Sequence, residues 1–399
     1  MAKPDPDALL RQGLARHQAG DTAEAGRLYR RVLALRPADG NALNLLGQLA
    51  RAQGDLKAAL ALTGRAVALH PGAPVFLAAH GATLAEAGRL DEAVATLRAT
   101  VAARPTDAVS LRNLGQALAA LGRTGEALVP LRQAVALHPA AAEAQLALAH
   151  ACREAGLREE AAIHARNAAA DPALAGQAGF LLAALGAAPA PDRAPAAYVR
   201  DLFDQYAPRF DDDLTGRLGY RTPAALAELL RDSGIAVDSS LRVLDLGCGT
   251  GLSGVALAPF AARLEGLDLS PRMLAAARAR GLYHALHETD LLDALPRQPG
   301  AWDLIVAADV LNYLGDLAPV LPALAAALAQ GGTAAFSVEV GEVAPFALGP
   351  GLRYRHQPAH LRGLFAGAGL SVLAEQDCVL RQEQGQAVAG MLWVLRRQG

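Results

Sequence analysis

The sequence predicts two fold classes in series: an all-α solenoid of helical repeats, then a doubly wound α/β domain with a mostly parallel sheet and a C-terminal antiparallel hairpin. Three observations carry this. Gly20, Gly54, Gly88, Gly122 and Gly156 recur every 34 residues through the first half. The run Arg242-Val-Leu-Asp-Leu-Gly-Cys-Gly-Thr-Gly-Leu-Ser-Gly254 passes from a buried strand through a glycine turn into a helix start. Beyond it, further apolar strand patterns alternate with helical ones.

The repeats come first. Pro37, Pro71, Pro105 and Pro139 keep the glycine period, and the fifth repeat has Pro172 one residue early. Gly13, Gly47, Gly81, Gly115 and Ala149 stand seven positions before each glycine, and Ala25, Ala59, Ala93, Ala127 and Ala161 complete the set. Each unit reads as two amphipathic helices, such as 42–53 and 56–69, with a left-handed glycine cap between them and a proline after the second. This layout resembles the tetratricopeptide repeat. The resemblance implies a groove for a protein partner or peptide, lined by the first helix of each repeat. By its register Asn44, Gln48, Arg112, Asn113, Gln116 and His150 face that groove, and Arg112 with Asn113 would hold a carboxylate. Residues 6–185 are expected to form the array: five repeats plus a capping helix around Phe180, Leu181, Leu182 and Leu185. Three prolines among alanines at 186–195 read as a semi-rigid linker.

The second domain is expected over 196–399. Tyr198 to Asp211 combines aromatics with acids ahead of the first strand, which suits either a lid or ordinary core packing. Thr222-Pro223 reads as an N-cap and first helical residue, with the helix running to about Asp232. In the glycine run, Gly249, Gly251 and Gly254 spell the dinucleotide pattern G-x-G-x-x-G. Asp245 argues the other way. An acid at that strand end repels a pyrophosphate and attracts an ammonium group. The run Val243 to Gly251 closely resembles motif I of the class I S-adenosylmethionine-dependent methyltransferases, a Rossmann-like fold.

That resemblance implies a cofactor, S-adenosyl-L-methionine, and a set of residues for it. Asp245, Gly247, Gly249 and Gly251 would cradle the methionine part. Asp268, ending the second strand 17 residues past Gly251, would take the ribose hydroxyls, with Leu269 beside it and Met273 near the adenine. Asp290 and Leu291, after a weak third strand at 283–288, would meet the adenine amino group. Asp309 follows the fourth strand, 302–308, opposite the cradle, and Tyr206 would close over the ligand. The fifth strand is 332–340, a helix spans 358–368, and 370–380 with 388–396 reads as a closing hairpin around Glu383-Gln-Gly-Gln386. His356, between the fifth strand and that helix, is the candidate base for the methyl acceptor. No Asn/Asp-Pro-Pro-Tyr/Phe follows the fourth strand, which argues against members that modify bases or glutamine. The two halves together look like predicted tetratricopeptide-repeat methyltransferases, enzymes that transfer a one-carbon group.

Composition narrows the rest. A net charge of −2 over 399 residues gives no electrostatic case for nucleic acid or an anionic membrane. Cys152, Cys248 and Cys378 are too dispersed for a disulfide framework or zinc site. They suit a cytoplasmic setting. No signal peptide and no membrane helix is expected. Two other readings stay open: a nicotinamide-dependent oxidoreductase, and a non-catalytic repeat scaffold with a vestigial cofactor site.

Overall fold

The computed structural model describes residues 5–217, 219–343, 345–383 and 386–398. Gln384 and Gly385 of the expected hairpin turn lie outside them, as do residues 1–4. The chain divides into two compact units, Met1–Leu174 and Ala175–Gly399.

The first unit is five helix pairs: Pro6–Gln18 with Thr22–Leu35, Gly40–Ala52 with Leu56–Leu69, Pro74–Glu86 with Leu90–Ala103, Ala108–Ala120 with Thr124–Leu137, and Ala142–Glu154 with Arg158–Ala168. All five periodic glycines are left-handed, with φ between +75° and +81°. The periodic alanines Ala25, Ala59, Ala93, Ala127 and Ala161 have no exposed surface. Gly47 shows why the earlier position is small. A Cβ there would stand 2.7 Å from the Thr63 methyl carbon, so the paired helices meet backbone to side chain. Asp21, Asp39, Asp55 and Asp107 cap helices with their carboxylates, each accepting from the N–H three residues on. Two ladders of ion pairs join successive repeats. Arg51–Glu86 (3.0 Å) and Arg112–Glu143 link first helices, and Arg98–Glu126 (2.7 Å) and Arg132–Glu160 (2.9 Å) link second helices.

The groove candidates sit on this frame. Asn44 is 3% exposed, and its Oδ1 has no partner among the described residues. Gln48, Arg112, Asn113 and His150 are half-buried and Gln116 is exposed. Arg112 already faces Glu143, so an internal carboxylate stands where the sequence suggested a ligand's. Burial, with Arg153 adding to it, pushes His150 down to about 4.

The second unit opens with helix Ala175–Ala184, which the sequence had assigned to the end of the array. Its Phe180 ring lies 5.2 Å from Tyr198 and 6.0 Å from Tyr354, and Gln177 donates to Asp201 at 3.0 Å. The sheet that follows uses β1 (Leu241–Leu246), β2 (Ala261–Asp268), β3 (Ala285–Glu288), β4 (Trp302–Ala307), β5 (Leu328–Val340), β6 (Phe346–Leu348), β7 (Tyr354–His356), β8 (Leu370–Glu383) and β9 (Gln386–Arg397). Strands β3-β2-β1-β4-β5 are parallel in that spatial order, and the β8–β9 hairpin adds antiparallel against β5. Beyond the end of β4, β5 pairs instead with β7, which carries β6 antiparallel. This small hairpin was not expected from the sequence. Its strands have three residues each, too few to show a period.

One apolar layer, with Phe336, Phe365 and Trp393, covers one face of the sheet. A second, with Leu226, Leu230 and Phe260, covers the other. Helix Thr222–Asp232 starts with Thr222 as its first residue and Arg221 as the cap, and no side chain caps it. No helix among the described residues is long and apolar enough to cross a membrane.

Candidate cofactor and acceptor site

β1 is the central strand, flanked in parallel by β2 and β4, so its carboxyl end lies where the strand order reverses. In open α/β sheets that crevice is the ligand position. The loop after it turns at Gly247, Gly249 and Gly251, with φ of +59°, +54° and +90°. A Cβ on Gly247 would stand 2.5 Å from Val310, just past β4. Gly254 has a different reason. A Cβ there would meet the Tyr283 hydroxyl at 2.5 Å, so the last glycine of the dinucleotide pattern serves side-chain packing.

Tyr283 donates to Asp245 Oδ2 at 2.6 Å, and Ser253 donates to the same oxygen at 2.7 Å. Asp245 is fully buried, and its Oδ1 has no partner among the described residues. Burial pushes its carboxyl up to about 7, against the pull of the two hydroxyls. A buried carboxylate oxygen without a donor calls for one, and a cation answers both the hydrogen bond and the charge.

Asp268 stands at the end of β2. Its Oδ2 accepts from Gly249 N at 2.9 Å and its Oδ1 from Ser270 N at 2.8 Å. Burial raises its pKa while these backbone donors oppose the rise. Each oxygen keeps a second lone pair, which suits a pair of vicinal hydroxyls. Leu269 next to it is half-buried. Met273 is fully buried, so it supports its helix and has no surface to present to an adenine. Asp290 caps the short helix that follows β3, accepting from Leu292 N at 2.9 Å, and Leu291 is 8% exposed. The Arg193 guanidinium also holds the Asp290 carboxylate. The site therefore includes a residue from the segment read as a linker.

The aromatic stretch before β1 crosses the glycine loop. In helix Ala196–Tyr206 and the turns to Asp212 no residue is fully buried, so the aromatics are not core. Phe210 packs edge-on against Tyr206 (5.3 Å) and Phe203 (6.1 Å), and its ring carbons come within 3.7 Å of a Cβ placed on Gly249. Two acids pin the stretch down. Asp204 accepts from Ser270 Oγ (2.5 Å), and Asp211 accepts from Thr250 Oγ1 (2.5 Å) and from Arg280. Tyr206 thus packs on the ring that borders Gly249.

On the other side of β1, Asp309 adopts φ +58°, an uncommon value for a residue with a side chain. Its carboxylate accepts from Ser337 Oγ (3.0 Å), Asn312 Nδ2 (3.3 Å) and Arg381 Nη1 (3.2 Å). Arg381, 6% exposed, also binds Glu339 and Glu383 (2.7 Å), and Arg353 binds Glu339 at 2.9 Å. Burial pushes the Tyr220 phenol well above its usual range, and both Asp309 and Asp245 add to the rise. The Tyr220 backbone N–H donates to the Leu214 carbonyl at 2.9 Å.

His356 does not join it. The ring is 1% exposed on β7, and its Nε2 donates to the carbonyls of Leu314 (2.9 Å) and Gly315 (3.2 Å). Burial lowers its pKa. Its Nδ1 has no partner among the described residues, but a ring 1% exposed offers an acceptor no surface, and its bonds pin a turn. Sequence reasoning missed Arg193, Tyr283, Arg381 and Glu339. Glu339 did carry a signal, since it is the one charge in β5, whereas Arg381 stands in a strand that also holds Glu375, Asp377 and Glu383.

Comparison with known proteins agrees with this geometry. A methyltransferase domain model matches residues 244–334, and tetratricopeptide repeat models match 4–74 and 50–117. Residues 244–334 of the second unit thus resemble a methyltransferase domain. Among curated proteins, human methyltransferase-like protein 27 is 36% identical over 112 residues, covering 28% of this chain and 45% of its own length. The ubiquinone biosynthesis O-methyltransferase of Xanthomonas campestris pv. campestris is 32% identical over 111 residues, covering 27% and 46%. The chain thus spans under half the length of these relatives. A solved S-adenosylmethionine dependent methyltransferase from Mesorhizobium loti is 23% identical, covers 44% of this chain and 100% of its own, and has a TM-score of 0.36. The first unit is a tetratricopeptide repeat array and the second a Rossmann-like domain with a mostly parallel sheet.

Proposed function

We propose that the protein is an S-adenosyl-L-methionine-dependent methyltransferase whose repeat array recruits a protein acceptor or a protein that carries one. The observation behind this is Asp245: a fully buried carboxylate with one unpartnered oxygen, under a glycine loop. A pyrophosphate there would meet like charge, which disfavours a nicotinamide cofactor. An ammonium group meets the charge it lacks.

When bound, the cofactor supplies a methyl group on a sulfonium. The chain's residues position it and exclude water. Asp245 takes the ammonium, and the backbone of Gly247, Gly249 and Gly251 lets the ligand approach closely. Asp268 takes the ribose hydroxyls, and Asp290 with Leu269 and Leu291 takes the purine. Tyr206 and Phe210 cover it. Asp309, held in place by Arg381 and Ser337, faces the acceptor side together with Tyr220. With His356 fixed on carbonyls, these two are the titratable groups nearest the transfer. Arg112, Asn113 and Gln116 on one first helix mark the recruiting face, while Asn44 is too buried to meet a partner.

Asp268→Ala tests the cofactor half. Loss of two hydrogen bonds to a charged acceptor should weaken S-adenosylmethionine binding by about 2–4 kcal/mol with the circular dichroism unchanged. Calorimetry showing wild-type affinity in the folded variant would remove the ribose role. Binding of NAD by the wild type, with none of S-adenosylmethionine, would replace the whole reading. The array half is tested by capturing partners on it and offering them as acceptors with labelled cofactor.

A further inference from the structure

The segment that leads into helix Ala196–Tyr206 is a strap bonded along its length. Pro191 O accepts the Tyr354 hydroxyl at 2.6 Å, and Asp192 O accepts from Gly315 N (2.8 Å) and Asp316 N (2.9 Å). Ala194 N donates to Tyr313 O at 2.8 Å, and Ala194 itself is 1% exposed. Arg193 bridges antiparallel to Leu314. With its backbone fixed on both sides, Arg193 projects its guanidinium onto Asp290, binding both carboxylate oxygens.

Asp290 lies two residues past β3, whose last residue, Glu288, pairs with Asp268. It is therefore at the rim of the cradle, next to the ribose acid. Its Oδ1 accepts from Leu292 N, so one side is held by its own helix and the other by a residue 97 positions earlier in the chain. An aspartate on a turn has several rotamers. A planar guanidinium fork leaves it one. The lone pairs that remain then point in a set direction.

We infer that Arg193 is a positioning residue that sets purine specificity at the cofactor site: by fixing Asp290 as an acceptor, it selects a 6-amino purine over a 6-oxo purine. This rests on the S-adenosylmethionine reading above. A fixed acceptor accepts from an exocyclic amino group and repels a carbonyl oxygen. An acceptor free to turn away does neither, so both binding and discrimination fall together.

The test is titration of the full chain with S-adenosylhomocysteine and with its 6-oxo counterpart, S-inosylhomocysteine. The wild type is expected to prefer the amino ligand by roughly 30-fold. In Arg193→Ala, binding of the amino ligand should weaken about 10-fold and the preference should fall below about 3-fold. Arg193→Lys keeps the charge without the fork and should lie between, and it decides the matter if the alanine variant fails to fold. Folded variants that bind more weakly but keep the full preference would show a purely structural strap and overturn the inference. A wild type that binds neither ligand would overturn the cofactor reading and this inference with it. A wild type that binds both equally overturns the inference alone.

Discussion

Each unit is held together internally by its own kind of contact. In the array, the helix-pair approaches recur at the repeat period: Ala25 has its equivalents at each repeat, and Gly47 meets Thr63 as Gly81 meets Leu97. Contacts join a helix to its neighbours, and the ion-pair ladders step from one repeat to the next. In the second unit the decisive contacts are long-range and occur once. Arg193 reaches Asp290 across 97 positions, and Arg381 reaches Asp309 across 72. A quasi-one-dimensional array tolerates local damage, whereas a sheet built from distant segments fails as one body.

Truncation should show the largest difference. Cutting the last helix pair from the array should leave the other repeats folded, as seen by retained helical circular dichroism. Starting the second unit at 196 in place of 175 removes Phe180 and leaves the buried Tyr354 hydroxyl without its acceptor. That fragment should lose about 5 kcal/mol relative to 175–399 in urea denaturation, from a lost aromatic core residue and an orphaned hydroxyl. Equal stability of the two fragments would mean the opening helix and strap are ornaments on the unit.

Glycine substitutions sharpen the same contrast. Gly247→Val forces a β-branched residue to φ +59° with its Cβ 2.5 Å from Val310. It should cost about 4 kcal/mol and abolish cofactor binding, with only the second unit's thermal transition moving. Gly47→Val overpacks one seam of the array against Thr63. It should cost about 2 kcal/mol and leave cofactor affinity unchanged. A loss of cofactor binding in Gly47→Val would show the units are not independent.

Asp245 predicts a pH effect confined to the second unit. Its carboxyl is raised from 3.8 to about 7, so the folded form holds its proton more tightly than the unfolded one. Its contribution to ligand-free stability is therefore full below about pH 4 and is lost as pH rises toward 7. A bound ammonium reverses the preference. Binding of S-adenosylhomocysteine should be roughly 10-fold weaker near pH 6 than near pH 8, with proton release visible as a buffer-dependent enthalpy. Affinity that is flat across that range would separate Asp245 from the ammonium.

The smallest effect is expected at Arg112→Ala. Its partner Glu143 is largely exposed, so array stability should change by about 1 kcal/mol or less. Partner capture should nevertheless fall if this face recruits the acceptor. Unchanged capture would move the recruiting surface elsewhere.

The array was readable from the sequence because its contacts are local. A 34-residue period places each glycine cap and each buried alanine without knowledge of distant residues. The cradle was readable for a related reason, since Asp245, Gly247, Gly249 and Gly251 act within one strand-turn-helix. Asp268 ends a strand and Asp290 follows one by two residues, and strand ends are marked by where apolar runs stop. His356 was misjudged because its surroundings are set by the turn at Leu314 and Gly315, which no local pattern around Tyr354-Arg-His356 announces.

By itself, then, the sequence determined the repeats, the parallel sheet with its closing hairpin, and the glycine loop with its acid. Each follows from periodicity or from steric limits on a few consecutive residues. Only the tertiary structure decided that the proline-alanine segment is a strap, that Arg193 holds Asp290, and that Arg381 and Ser337 hold Asp309. Those outcomes depend on which buried charges meet when distant strands pair. A buried charge must find its partner wherever the fold brings one, and sequence distance carries no record of that meeting.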